Sequence, residues 1–172
     1  MKLLSALLTA ALLAAAPVSA PSAFAQSPFG GFRHDETQPI EIAADSLEVQ
    51  EANRIAIFRG KVVAGQGTLR LTSDELEVSY GAGGGGTGEI NRLQAKGDVF
   101  IANGAETAAG AWADYDVARG EIKMGGGVTL TQGGNVVKGG SLTIDLNTGR
   151  GAVDGGGGRV KSIFAPTPKA TD

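Results

Sequence analysis

Leu69 to Tyr80 reads LRLTSDELEVSY, and both ends of the stretch obey one rule: Leu69-Arg70-Leu71 and Leu76-Glu77-Val78-Ser79-Tyr80 alternate apolar with polar side chains. Successive side chains of a strand point to opposite faces, so a period of two makes one face apolar and the other polar. The alternation continues outward in Ile40-Glu41-Ile42, Leu47-Glu48-Val49, Ile55-Ala56-Ile57, Tyr115-Asp116-Val117, Ile122-Lys123-Met124, Val128-Thr129-Leu130 and Ile144-Asp145-Leu146. No helical stripe competes with it. Gly, Asn, Asp and Ser at short spacing separate the runs, which is how hairpins are punctuated. The chain is therefore read as all-β.

The runs also repeat. Leu47-Glu48-Val49 and Leu76-Glu77-Val78 lie 29 residues apart, as do Tyr115-Asp116-Val117 and Ile144-Asp145-Leu146. Gly60-Lys61-Val62, Gly97-Asp98-Val99 and Gly127-Val128 are expected to open equivalent strands. The step from Leu76 to Tyr115 is 39, and the surplus ten residues are assigned to an insertion at Gly81 to Gly88 (GAGGGGTG). One repeat is too small to bury its own apolar face, so neighbouring repeats must share a continuous interior. Small residues such as Ala64, Ala108, Gly110 and Gly139 fall among the inward positions, which suits a thin packed sandwich or an interior with room for a guest.

The N-terminus reads as an export signal. Lys2 is followed by an apolar run from Leu3 to Ala16, and Ala23-Phe24-Ala25 offers small residues for cleavage before Gln26. The run is shorter than the ~20 residues a membrane-spanning helix needs. Removing residues 1–25 leaves 147 of 172 and moves the formal charge from -3 to -4. That length fits one domain, expected over residues 39–164, between a flexible leader (26–38) and a flexible tail (165–172). Mild acidity without a basic cluster argues against nucleic acid as a partner. With no cysteine, an exported chain must be stable without disulfides.

Nothing in the sequence gathers catalytic chemistry. His34 is the only histidine and lies in the leader. Glu41, Glu48, Glu77, Asp116 and Asp145 occupy the polar positions of strands and read as a solvated face. Gly83 to Gly86 and Gly155 to Gly158 lack the strand before, the helix after and the Lys-Ser or Lys-Thr of a phosphate loop, so they read as hairpin tips. Trp112 falls on the polar face, where it marks a contact surface or caps a strand end. No enzyme activity, metal or cofactor is expected.

Six segments, in order, carry a resemblance: Pro39-Ile40-Glu41-Ile42 with Ala44-Asp45-Ser46-Leu47; Phe58-Arg59-Gly60-Lys61-Val62; LRLTSDELEVSY; Ala95-Lys96-Gly97-Asp98-Val99; Ala113-Asp114-Tyr115-Asp116; and Leu142-Thr143-Ile144-Asp145-Leu146-Asn147-Thr148-Gly149. From Pro39 to about Phe164 the chain resembles the OstA-like family, and within it the periplasmic lipopolysaccharide-transport branch. The resemblance implies a twisted, folded-over β-jelly roll whose apolar groove holds the acyl chains of lipid A. It also implies head-to-tail assembly by strand addition, from an LptC-like inner-membrane protein to an LptD-like outer-membrane protein. The glycine-rich stretches at Gly81 to Gly88 and Gly151 to Gly158 depart from the family pattern and put two hairpin lengths in question.

The expected inward, lipid-facing set is Ile40, Ile42, Leu47, Val49, Ile55, Ile57, Leu69, Leu71, Leu76, Val78, Val99, Ile101, Tyr115, Val117, Val128, Leu130, Ile144 and Leu146. Free strand edges for docking are expected at Ile40, Glu41 and Ile42 and at Val160, Lys161, Ser162, Ile163 and Phe164. Alternation and repeat fit a structural β-repeat protein with a fully packed interior nearly as well. A hydrolase on a β-helix would need convergent carboxylates on one strand face.

Overall fold

The computed structural model describes residues 37–81 and 88–165; the expected export signal, the expected leader through Glu36, the expected tail from Pro166 and most of the Gly81 to Gly88 stretch lie outside the described residues. Ten strands follow in order: β1 (Ile40–Ala43), β2 (Ser46–Gln50), β3 (Ile55–Gln66), β4 (Leu69–Tyr80), β5 (Ile90–Asn103), β6 (Glu106–Asp116), β7 (Glu121–Gln132), β8 (Asn135–Asp145), β9 (Arg150–Asp154) and β10 (Lys161–Ile163). All belong to one antiparallel sheet in which β3 to β8 pair in sequence. At one end β1 and β2 both pair with β3; at the other β9 and β10 both pair with β8. This is the folded-over β-jelly roll that the alternation and the resemblance lead one to expect.

What folds the sheet is a line of bulges across the middle of the long strands. Gly60-Lys61, Gly97-Asp98 and Gly126-Gly127 break the register of β3, β5 and β7, two residues standing against one on the neighbouring strand. All six have positive φ, from +41° at Asp98 to +88° at Gly127. A glycine in the left-handed region is what a bulge of this kind asks for, and it bends the strand sharply. Gly97 is doubly constrained, because the side chain of Asp74 on β4 fills the space a Cβ would take. At the two ends of the sheet the crease is deep enough to interrupt the strand: β1 gives way to β2 at Ala44-Asp45, where Asp45 N–H donates to Gly60 O at 2.9 Å, and β9 is separated from β10 by residues 155–160.

The glycine-valine steps therefore do not open strands, as the sequence suggested; they sit inside strands twice the expected length. The repeat is likewise a hairpin of two creased strands. Register places Val78, Leu93, Tyr115, Ile122 and Ile144 in one cross-strand row. Tyr115 is thus the equivalent of Val78, not of Leu76, and the step is 37, a surplus of eight over 29.

Folding along the crease turns the sheet into two leaves that face each other. The first carries β1, β10 and the halves of β3 to β8 near the Gly67, Gly104 and Gly133 turns; the second carries β2, β9 and the other halves. Inward rows supply the core, with Leu76, Ile101, Ile122, Met124, Leu142, Ile144, Val62, Val99 and Val128 all fully buried.

Candidate functional site

The space between the leaves is lined by the buried apolar side chains of the core. On the second leaf one row runs Leu47, Phe58, Leu76, Ala95, Ala113, Met124, Leu142, Val153 across eight strands. On the first, Ile42, Ala64, Leu71, Ile101, Ala108, Leu130 and Val137 form its counterpart. These rows cross the strands, so the apolar interior extends along the strand order, from β1 and β2 toward β9 and β10. Between the leaves lies a cavity of about 40 Å³, with Ile40, Ala64, Leu69, Leu71 and Ile101 on one side and Leu93, Ala113, Tyr115 and Ile122 on the other.

Of the expected inward set, Leu69, Leu76, Val78, Val99, Ile101, Tyr115, Val128, Leu130, Ile144 and Leu146 are buried in this interior, and Ile40, Ile42, Leu71 and Val117 are half-buried against it. Ile55 and Ile57 are corrections. Register pairs Ile57 with Glu48 and Glu77, and Ile55 with Gln50 and Ser79, so both lie on the outer face; Ala56, opposite Val78, and Phe58, opposite Leu76, point inward instead. In IAIF every residue is apolar, and alternation cannot choose between its faces. Ile57 is nonetheless only 7% exposed, outside the central cluster. Leu47 and Val49 do lie in inward rows but are 56% and 47% exposed, on β2, an edge strand that pairs with β3 alone.

The reading omitted Val62, Leu93, Ala95, Ala113, Ile122, Met124 and Leu142, all buried in the same interior. Ile122-Lys123-Met124 had the alternation to reveal two of them. The docking-edge residues fall at the two ends of the sheet: Ile40, Glu41 and Ile42 in β1, and Lys161, Ser162 and Ile163 in β10, with Val160 and Phe164 flanking it. Ile163 and Phe164 are 67% and 74% exposed.

The outer face is polar and cross-linked. Arg59 Nη1 donates to Glu48 at 2.8 Å and its Nε to Glu75 at 3.0 Å, joining β2, β3 and β4. The hydrogen bond from Arg59 holds the Glu48 carboxyl below its usual range, and those to Glu48 and then Glu75 push the guanidinium up. Arg92 grips Asp114 across β5 and β6 with two hydrogen bonds, which raise the Arg92 pKa. Pairs on so exposed a face are screened by water and contribute little to stability. Their chemical effect is to make one face of the sheet water-soluble while the other is oily. Among the described residues no group of His, Cys, Asp and Glu could hold a metal ion.

Known proteins match this architecture. Residues 41–150 match the family described as LptA/(LptD N-terminal domain) LPS transport protein. An uncharacterised protein of Rhizobium meliloti is 34% identical over 147 residues, covering 83% of this chain and 79% of its own. The lipopolysaccharide export system protein LptH of Pseudomonas aeruginosa is 26% identical over 142 residues, 78% of each chain. The crystal structure of LptH, titled the LptA homologous periplasmic component of the conserved lipopolysaccharide transport device, superposes with a TM-score of 0.67 at 22% identity, over 77% of this chain and 99% of that one. The two-leaved sheet and a family match over residues 41–150 lead to one conclusion: the chain belongs to the LptA/LptD N-terminal-domain family of lipopolysaccharide transport proteins.

Proposed function

We propose that this protein is a periplasmic bridge that shields the lipid A acyl chains of lipopolysaccharide on their way from the inner to the outer membrane. The observation that carries the reading is the pair of inward apolar rows running the length of the strand order beneath a charged outer face. Exposing acyl chains to water costs ~0.8 kcal/mol per methylene, so crossing an aqueous compartment requires a continuous apolar lining. No bond is made or broken in such a task, and the driving force comes from elsewhere.

The pocket between the leaves, about 40 Å³, is smaller than an acyl chain, so the leaves must part further for one to enter. Docking uses the free edges, with β1 and β2 at one end and β9 and β10 at the other accepting strands of an LptC-like protein, an LptD-like protein or a second copy. Which end faces which membrane is set by those partners.

Photocrosslinkers at Ile42 and Tyr115 are expected to capture lipopolysaccharide in the native envelope, and crosslinkers at Glu41 and Asp116 are not. Equal labelling of both faces would sink the groove. The tightness of the interior favours a second reading, a structural envelope protein with a permanently packed core. It predicts no capture at either site and normal delivery of lipopolysaccharide to the surface when the protein is depleted.

A further inference from the structure

One inward row is not apolar. Where β3 to β8 meet the Gly67, Gly104 and Gly133 turns, cross-strand register lines up Gln66, Leu69, Asn103, Glu106, Gln132 and Asn135 on the interior face, one row out from Ile101 and Ala108. The residue before each of the three turns is an amide, Gln66, Asn103 and Gln132, so the strip follows the repeat. It runs in the same direction as the apolar trough. Gln66 also lines the cavity, and its Nε2 donates to Gln38 O at 3.0 Å.

Glu106 is the anomaly in this strip. Glu106 is only 8% exposed, Gln132 Nε2 donates to its Oε1, and its Oε2 is buried with no hydrogen-bond partner within the chain. Leaving a buried acceptor unmet is costly, and such an atom calls for a partner. The missing partner must be a donor. A carboxylate repels phosphate but accepts well from hydroxyl and amide N–H groups, which is what a sugar presents.

We infer that this polar strip is a sugar-binding rail at the lip of the trough, with Glu106 Oε2 accepting a hydroxyl or amide N–H of an N-acylated amino sugar whose acyl chains lie in the apolar rows. The inference rests on the lipid-carrying reading above and adds to it how the head of the lipid is held.

The full chain, with Glu106→Leu and the near-isosteric Glu106→Gln, is titrated with lipid A and separately with dodecanoate, which has an acyl chain and no sugar. Glu106→Leu should weaken lipid A binding roughly tenfold, the size expected for one hydrogen bond to a charged group, and leave dodecanoate unchanged. Glu106→Gln should show part of the loss. Thermal stability without ligand should change little for Glu106→Gln, and fall modestly for Glu106→Leu because Gln132 Nε2 loses its acceptor. Unchanged lipid A affinity in both variants overturns the rail, as does an equal loss for both ligands with a lowered melting temperature, the mark of a structural role. A loss seen only with calcium and abolished by EDTA would make the contact a cation-bridged phosphate and also overturn it. If the wild-type chain binds neither ligand, it is the lipid-carrying reading that has failed; if it binds both and Glu106 is indifferent, only the rail has.

Discussion

The Trp112 indole on β6 lies where the side chain of Gly125, its partner on β7, would be: a Cβ on Gly125 would run into the six-membered ring and Nε1. Trp112 is 42% exposed and Gly125 is buried, so the ring roofs a bare stretch of backbone on the outer face. Gly125→Ala is expected to lift the ring off the sheet at a cost of about 1–2 kcal/mol. Because Trp112 is the only tryptophan, its fluorescence should shift to the red in the same variant, and an unshifted spectrum would show that the ring does not rest there.

At the crease, opposite substitutions should have opposite signs. Gly97→Ala places a Cβ against Asp74 at φ +77° and should destabilise by roughly 2–3 kcal/mol. Asp98, a non-glycine residue at φ +41°, should become more stable by up to about 1 kcal/mol as Asp98→Gly, since a left-handed conformation costs an L-residue about that much. Urea denaturation of the two variants checks both.

Assignment of the faces of β3 can be tested directly. Crosslinkers at Ala56 and Ile57 are adjacent in sequence but on opposite faces. Lipopolysaccharide capture is expected at Ala56 and not at Ile57; the reverse result would restore the face that alternation alone assigned.

Asp145 at the end of β8 gives a pH-dependent handle. Hydrogen bonding to Thr148 first, and to the Asn147 N–H at 3.0 Å, holds its carboxyl below the usual aspartate range. A depressed folded pKa means the carboxylate's contribution is present above the unfolded value of about 3.9 and is lost as pH falls through the folded value. Asp145→Asn should therefore melt below wild type near neutrality, with the gap closing in acid. A gap that widened in acid would contradict the turn's role as a carboxylate trap.

Leu76, Val78 and Ile144 are legible as inward because a polar or charged neighbour on each side leaves alternation a single solution. IAIF at the start of β3 had no such neighbour, and only the pairing of Phe58 with Leu76 decides it. The crease is visible in the sequence as Gly60, Gly97 and Gly127, but there it reads as a set of strand openings. A bulge and a turn ask for the same backbone freedom, and a sequence does not say which strand lies opposite. Exposure of Leu47 and Val49 depends on where the sheet ends, which is a property of the pairing and not of the segment. The polar strip was hidden for a similar reason: Gln, Asn and Glu beside a turn look like solvated tips until register turns them inward.

Gly60-Lys61, Gly97-Asp98 and Gly126-Gly127 together act as the spine of a book. Hydrogen-bonded ladders on both sides of the crease hold neighbouring strands at their fixed spacing of about 4.8 Å, so one strand cannot open its angle unless the next opens nearly as far. The width of the interior is thus a collective quantity, shared from β3 to β8, and parting the leaves at one end loosens them at the other.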